Sequence, residues 1–364
     1  MQDDSKHSPN SEKRYRTLAD IARALQLDAS TISLVLSGSK KPSEKTRKRV
    51  LSFCQKVNFR PNLLAQGLSK GRSGLVGVLL PDVQSSFFPG ILEGIENVSN
   101  EYNYTSFLAL SRYDPELMRS QIMAMQARYV EGLLIVPTGQ PGEREILMPV
   151  LDEVAHVFLC MPMEDEPLDT CVRVDDELGG FVGTEHLIKL GHKRIGMLSG
   201  PARMASAIQR RAGYQRALQT NGFTVEHELM APTGFDSRSG YDGMRRLLKL
   251  EKPPTAIMAI SDYAALGAIE ALLEAGLRPG EDVAVVGYDD ICCGQHSPVP
   301  LTTVRQPQEE LGEASARALV EILAGNTPVL PLLKPEIVVR RSCGAWKRQN
   351  VIELSSSAER LTSK

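Results

Sequence analysis

Between Thr17 and Ser37 the chain carries two short helical patterns joined by a tight turn, and this pairing constrains the fold more than any other stretch. Thr17 can cap the first helix, and Asp20, three residues later, sits where a capping box places its acid. Leu18, Ile21, Ala22 and Leu25 then share one helical face. Asp28 can cap the second helix, on which Ile32, Val35 and Leu36 turn inward while Ala29, Ser30 and Ser33 stay outside. A small apolar interface with a short polar outer face suits a helix that enters a DNA major groove, although an ordinary helical hairpin has the same pattern. Ser43 is placed as N-cap of a third helix through Leu51, whose apolar face continues to Phe53 and Val57.

Charge sharpens this reading. Residues 11–74 hold 14 Lys and Arg against 4 Asp and Glu, a net of +10, whereas residues 75–364 carry −11. The near-neutral total of −2 hides a basic head on an acidic body, the asymmetry expected of a nucleic-acid-binding segment joined to something else.

At 364 residues, 42% of them hydrophobic, the chain has room for two or three domains with real cores. No apolar run approaches the roughly 18 residues of a bilayer span. The first residues, Met1 to Ser8, are polar and lack a signal-peptide core, and residues 1–13 are expected to be a disordered tail. The six cysteines (54, 160, 171, 292, 293 and 343) have no Cys-x-x-Cys spacing and read as free thiols of a cytoplasmic protein, with no metal site.

From Gly74 the composition changes. Apolar strand patterns recur at Leu75–Asp82, Gly132–Val136, Val157–Cys160, Arg194–Leu198, Ala256–Ile260 and Val283–Gly287, with helical patterns between them, such as Gly90–Tyr102. Strands alternating with helices predict an α/β fold of doubly wound parallel sheets. About 270 residues of this exceed one typical unit, so two lobes are expected. Enzymatic signatures are missing: no Gly-x-Gly-x-x-Gly follows the first strand, and there is no P-loop, His-Glu-x-x-His or Gly-x-Ser-x-Gly. No cofactor is expected. The acidic Asp175-Asp176-Glu177 has no partner histidine and is assigned no chemistry.

Three stretches together identify a family: Thr31-Ile32-Ser33 in the second helix, Ser43 to Val50, and Arg60-Pro61-Asn62-Leu63-Leu64-Ala65 with Leu68. On these the chain resembles the lactose-repressor/galactose-repressor (LacI) family of bacterial transcription regulators, from about Thr17 to about Arg341. The resemblance implies a helix-turn-helix headpiece over residues 14–59, a hinge over 60–73 that folds as a helix on operator DNA, and a two-lobed, periplasmic-binding-protein-like sensor over 74–345. Lobe 1 would take about 74–174 and 308–336, and lobe 2 about 175–305 and 337–345. The crossings are expected near Val174–Asp175, Arg305–Gln308 and Glu336–Val338. Residues 346–364 would form a tail without the leucine heptads that make tetramers in some members.

The same resemblance implies which residues touch DNA: Thr17, Leu18, Ala29, Ser30, Thr31, Ser33, Leu34, Ser37, Lys41 and Ser43 in the headpiece, and Asn62, Ala65 and Leu68 in the hinge. Leu68 would wedge into the minor groove. It also implies a small-molecule effector between the lobes, where ligands of open α/β sheets sit beyond the strands' carboxyl ends. Its expected contacts are Phe87, Phe88, Ser206, Arg210, Phe235, Ser261, Asp289 and Gln306. Aromatic faces with a hydroxyl-pairing Arg and Asp suit a sugar or sugar derivative. Asp262, next to Ser261, is expected to cap the helix that follows. The implied partners are a pseudo-palindromic operator duplex, the effector and a second copy of the chain, with no membrane.

Two departures from the family pattern stand out. Gln26 occupies a turn position that is usually glycine, which predicts strain or a reshaped turn. Leu34 stands where many members carry Arg or Lys, and it cannot make a bidentate guanine contact. The alternatives from other classes are a solute-binding protein of the same sensor fold and an α/β enzyme.

Overall fold

The computed structural model describes residues 17–36, 38–59 and 72–346. The expected site residues Ser37, Asn62, Ala65 and Leu68 lie outside them, as do the N-terminal tail, most of the hinge and nearly all of the C-terminal tail. The chain divides into residues 1–73 and 74–364, and each is considered by itself.

The first unit contains helices α1 (Leu18–Leu25), α2 (Ala29–Leu36) and α3 (Glu44–Lys56). Thr17 caps α1 through the full capping box with Asp20, which satisfies donors that a helix start leaves unpaired. Ser43 caps α3 by accepting from the Thr46 N–H. Ile21, Leu25, Ile32, Val35, Val50 and Cys54 are buried together, with Phe59 closing the cluster. The turn between α1 and α2 keeps its course through strain at Gln26, which adopts the left-handed conformation (φ 51°, ψ 49°) that glycine takes readily. Its N–H still returns to the carbonyls of Ala22 and Arg23. Arg49 of α3 donates to the carbonyl of Leu25 at 2.9 Å and so ties the third helix to the end of the first.

In the second unit, strands and helices alternate: β1 (Leu75–Leu80), α4 (Phe88–Glu101), β2 (Thr105–Leu110), α5 (Pro115–Gln126), β3 (Gly132–Ile135), α6 (Glu143–Leu151), β4 (Ala155–Leu159) and β5 (Cys171–Val174). Then come α7 (Asp176–Lys189), β6 (Ile195–Leu198), α8 (Ala205–Thr220), β7 (Met230–Ala231), α9 (Ser237–Leu247), β8 (Ala256–Ala259), α10 (Asp262–Glu274), β9 (Ala284–Asp289), α11 (Cys292–Gln295) and β10 (Thr302–Arg305). The last elements are α12 (Gln308–Leu323), β11 (Leu332–Leu333) and β12 (Glu336–Val338).

Two six-stranded sheets result, ordered β11-β5-β4-β3-β1-β2 and β12-β10-β9-β8-β6-β7. Every pairing in them is parallel except β10 with β12. Parallel strands covered by helices on both faces are buried throughout, which is why β1, β3, β6 and β8 read as continuous apolar runs.

The chain passes between the sheets three times: between β5 and α7, between β10 and α12, and between β11 and β12. The third passage falls at Lys334–Pro335, ahead of the expected Glu336–Val338. Glu336 already pairs with Arg305 in the second sheet, and the antiparallel ladder to β10 fixes that register. Short or edge strands carry little apolar pattern. Thus β2, an edge strand with Phe107 and Leu108 exposed, and the short β7, β11 and β12 gave no sequence signal, nor did β5 and β10, whose runs are broken by Arg173 and by Thr302 and Thr303.

Candidate functional site

The expected DNA-facing residues of the first unit differ in exposure. Ala29 and Ser30 are exposed on α2, Thr31 and Ser33 are half-buried, and Lys41 and Ser43 are exposed beyond it. Leu18 is half-buried against the core of the unit, and Thr17 is exposed and occupied by its capping box. Leu34, 36% exposed, stays on the outer surface and does not join the buried cluster. An exposed leucine there can meet a thymine methyl group but cannot read guanine.

In the second unit the strand ends of both sheets border one cleft. All eight residues expected at the effector line it: Phe87, Phe88, Ser206, Arg210, Phe235, Ser261, Asp289 and Gln306. Phe87 and Phe88 open α4, with rings edge to face at 5.3 Å, and Phe235 comes from the loop before α9. The remaining wall is largely apolar, with Pro81, Val136, Pro137, Cys160, Met161 and Met204.

At the base of the cleft lies a buried charge network. Arg210 on α8 donates from Nε to Asp176 Oδ1 at 2.7 Å and from Nη1 to the Ile260 carbonyl at 2.6 Å. Its Nη1 is 3.7 Å from Asp289 Oδ1. The guanidinium lies 3.7 Å from the centre of the Tyr288 ring, and the Tyr288 hydroxyl donates to Asp176 at 3.0 Å. Burial opposes the charge of Arg210, but Asp176, Tyr288 and Asp289 outweigh it and hold the guanidinium above its usual range.

Two small residues bring this pair together. A Cβ on Gly180 would lie 2.1 Å from the Arg210 carbonyl oxygen, and one on Gly213 would lie 2.0 Å from that of Glu177. Only glycine allows α7 and α8 to approach so closely, and that approach sets Asp176 against Arg210.

Asp289 ends β9 with φ 114°, and Asp290 follows with φ 58°, so the backbone carries strain where it enters the cleft. Gln306 donates to Asp289 Oδ1 at 2.7 Å. Burial pushes the Asp289 carboxyl up to about 6, with Arg210 and Gln306 pulling the other way. Ser261 is committed to structure as well: its hydroxyl donates to the Phe235 carbonyl at 2.6 Å and accepts from the Ala264 N–H.

The cap of α10 is therefore Ser261, not Asp262. Asp262 is fully buried and accepts from Thr303 Oγ1 at 2.5 Å and from the Ile291 N–H at 2.8 Å. Burial, with Asp289 nearby, raises its carboxyl well above the usual range. Sequence reasoning missed Asp176, which it set aside for want of a histidine, and also Tyr113 and Tyr263 in the cleft wall. For Asp176 the available signal was its place at a passage between lobes, where the chain must line the cleft.

Comparisons with known proteins agree with this architecture. Residues 17–62 match the family model for bacterial regulatory proteins of the lacI family, and residues 184–343 match a periplasmic-binding-protein-like domain. The HTH-type transcriptional repressor PurR of Haemophilus influenzae is 28% identical over 333 residues, covering 90% of this chain and 98% of the relative. The lac repressor dimer bound to operator and the anti-inducer ONPF aligns with a TM-score of 0.81 at 28% identity, covering 90% of this chain and 99% of that one. The transcriptional regulator CelR in complex with cellobiose aligns with a TM-score of 0.69 at 29% identity, over 90% and 99% of the two chains. With its helical head, its two parallel sheets and their shared cleft, the chain belongs to the LacI family of bacterial regulatory proteins, which are DNA-binding transcriptional repressors and not enzymes.

Proposed function

We propose that this repressor is controlled by an uncharged sugar or sugar derivative bound between its lobes. The observation that carries the reading is the cleft itself. Phe87 and Phe88 at the start of α4 and Phe235 before α9 line one cavity with a buried Asp176–Arg210–Asp289 network. Aromatic faces bury the apolar side of a sugar ring, while the carboxylates and Gln306 offer acceptors and donors for its hydroxyls. The cellobiose complex of a relative supports a carbohydrate.

Residues 14–59 act as the DNA-binding head, 60–73 as the hinge and 74–345 as the sensor. The protein works as a cytoplasmic homodimer on a pseudo-palindromic operator, with Ser30, Ser33 and Leu34 at base edges and Leu68 of the hinge in the minor groove. The exposed Phe107 and Leu108 on the open edge of the first sheet are consistent with a second copy covering that edge. Effector acts by binding the two lobe arrangements with different affinity, which changes how the paired heads meet the operator.

A thermal-shift screen of the full chain against mono- and disaccharides, their phosphates and purines tests the reading. A neutral sugar should raise the melting temperature and change operator affinity in fluorescence anisotropy. Ser206→Ala and Phe235→Ala should each weaken both responses. A hit confined to purines or phosphorylated sugars would replace the proposed effector class.

A further inference from the structure

Across the mouth of the cleft, the Tyr263 side chain hydrogen-bonds from one lobe to the other. Tyr263, in the first turn of α10, belongs to the second lobe. Its hydroxyl accepts from the Ser86 N–H at 3.3 Å, lies 3.2 Å from Ser86 Oγ and donates to the Gln84 carbonyl at 3.4 Å. Gln84 and Ser86 belong to the loop between β1 and α4 in the first lobe. A phenol has one proton to give and two lone pairs, so all three contacts can be satisfied together if Ser86 Oγ donates.

The landing loop is itself held in shape. Asp82 accepts the N–H groups of Gln84 and Ser85, each at 2.9 Å, and the Tyr113 hydroxyl at 3.0 Å. Ser85, Phe87 and Tyr263 also line the cavity, so this junction is part of its rim. The two oxygen–oxygen contacts of Tyr263 exceed the usual hydroxyl distance of about 2.7–2.8 Å and the Ser86 N–H bond exceeds the usual distance of about 2.9–3.0 Å, so each is weak. A junction of several weak bonds can hold a cleft closed and still release it.

We infer that the Tyr263 hydroxyl is the catch of the cleft: it holds the lobes together over the pocket, and a ligand enters when it lets go. This rests on reading the cleft as the effector site. Tyr263 is then a positioning residue for the regulatory response and need not touch the effector.

Cys160 is a built-in reporter, because it lines the cavity from the first lobe. The ligand-free full-length protein would be treated with N-ethylmaleimide, and each cysteine peptide followed by mass spectrometry. Tyr263→Phe keeps the ring and removes only the hydroxyl. It should speed alkylation of Cys160 roughly fivefold to tenfold, the scale expected for losing one modest set of hydrogen bonds. Exposed Cys292 and buried Cys343 should react at the wild-type rate.

Ser86→Ala, which weakens the catch from the opposite lobe, should also speed Cys160. Hydrogen exchange at the Ser86 amide should rise in Tyr263→Phe. Unchanged Cys160 alkylation in both variants, or unchanged Ser86 exchange in Tyr263→Phe, overturns the catch. Neither measurement uses a ligand, so its failure is distinct from a failed effector screen.

Discussion

Arg210 and Asp176 form a buried ion pair at 2.7 Å, with side chains only 6% and 8% exposed, and they are brought together by the glycine contact of α7 with α8. Asp289 stands on the other side of the guanidinium. One cation thus separates two buried carboxylates, and the cleft depends on it for charge balance. Removing one partner of a buried pair leaves the others uncompensated.

Arg210→Ala should therefore destabilise the protein by about 3–5 kcal/mol, measured by urea unfolding at neutral pH. Arg210→Lys should recover only part of this, because an ammonium cannot span Asp176 and the Ile260 carbonyl in fork geometry. A loss within the range of an ordinary surface substitution would show that the network is not structural.

The pH dependence follows from Asp289. Its folded carboxyl titrates near pH 6, raised by burial, against about 3.9 for an unfolded aspartate. Between these values the folded state holds the extra proton. Its stabilising contribution is therefore complete below about pH 4 and is lost as pH rises through about 6. Asp289→Asn cannot ionise, so its stability relative to wild type should rise from pH 4 to 6 and level off above. Parallel unfolding curves across pH 4–8 give the comparison, and a difference independent of pH would rule the titration out.

In the head, Gln26 holds a left-handed conformation that costs an L-residue roughly 1–2 kcal/mol. Gln26→Gly relieves it at the expense of a more flexible unfolded chain. The expected net gain is about 1 kcal/mol in thermal unfolding of the head, with operator affinity unchanged. A lower melting temperature would mean that the Gln26 side chain contributes more than its backbone loses.

The +10 charge of residues 11–74 predicts steep salt dependence of operator binding. With 6–10 phosphate contacts, affinity should fall by about 10³–10⁵ between 50 and 200 mM salt. Lys45 is exposed in the first turn of α3, next to the expected contact Ser43, and Lys45→Ala should weaken all sequences alike and flatten the slope, whereas Ser30→Ala should alter base preference. Equal slopes for wild type and Lys45→Ala would take Lys45 out of the contact surface.

The contrast between Arg210 and Asp176 shows what was legible in the sequence. Arg210 lies in a recognisable segment with Gly213 three residues on, and it and the other cleft residues were identified through the family resemblance, which such short segments carry. Asp176 was passed over because its meaning depends on a helix contact 34 residues away, which no local pattern encodes. Asp262 failed for a related reason: a strand-to-helix acid looks like a cap until Ser261 takes that role and the carboxylate turns inward to Thr303. The starts of the three head helices were readable, since capping residues and apolar faces are local.

The threading of the lobes has a consequence for synthesis on the ribosome. The second lobe has nearly all of its sheet once β10 has emerged, but the first lobe waits for α12 and β11. Gly94 and Gly312 let α12 lie directly against α4, and that seat stays empty while some two hundred intervening residues are made. Throughout that interval the stretch of α4 around Ile91 and Gly94, against which α12 later packs, lacks that partner. Among the elements described, α12 is the helix that completes the first lobe, so a chain that stops short of it leaves the seat on α4 unfilled.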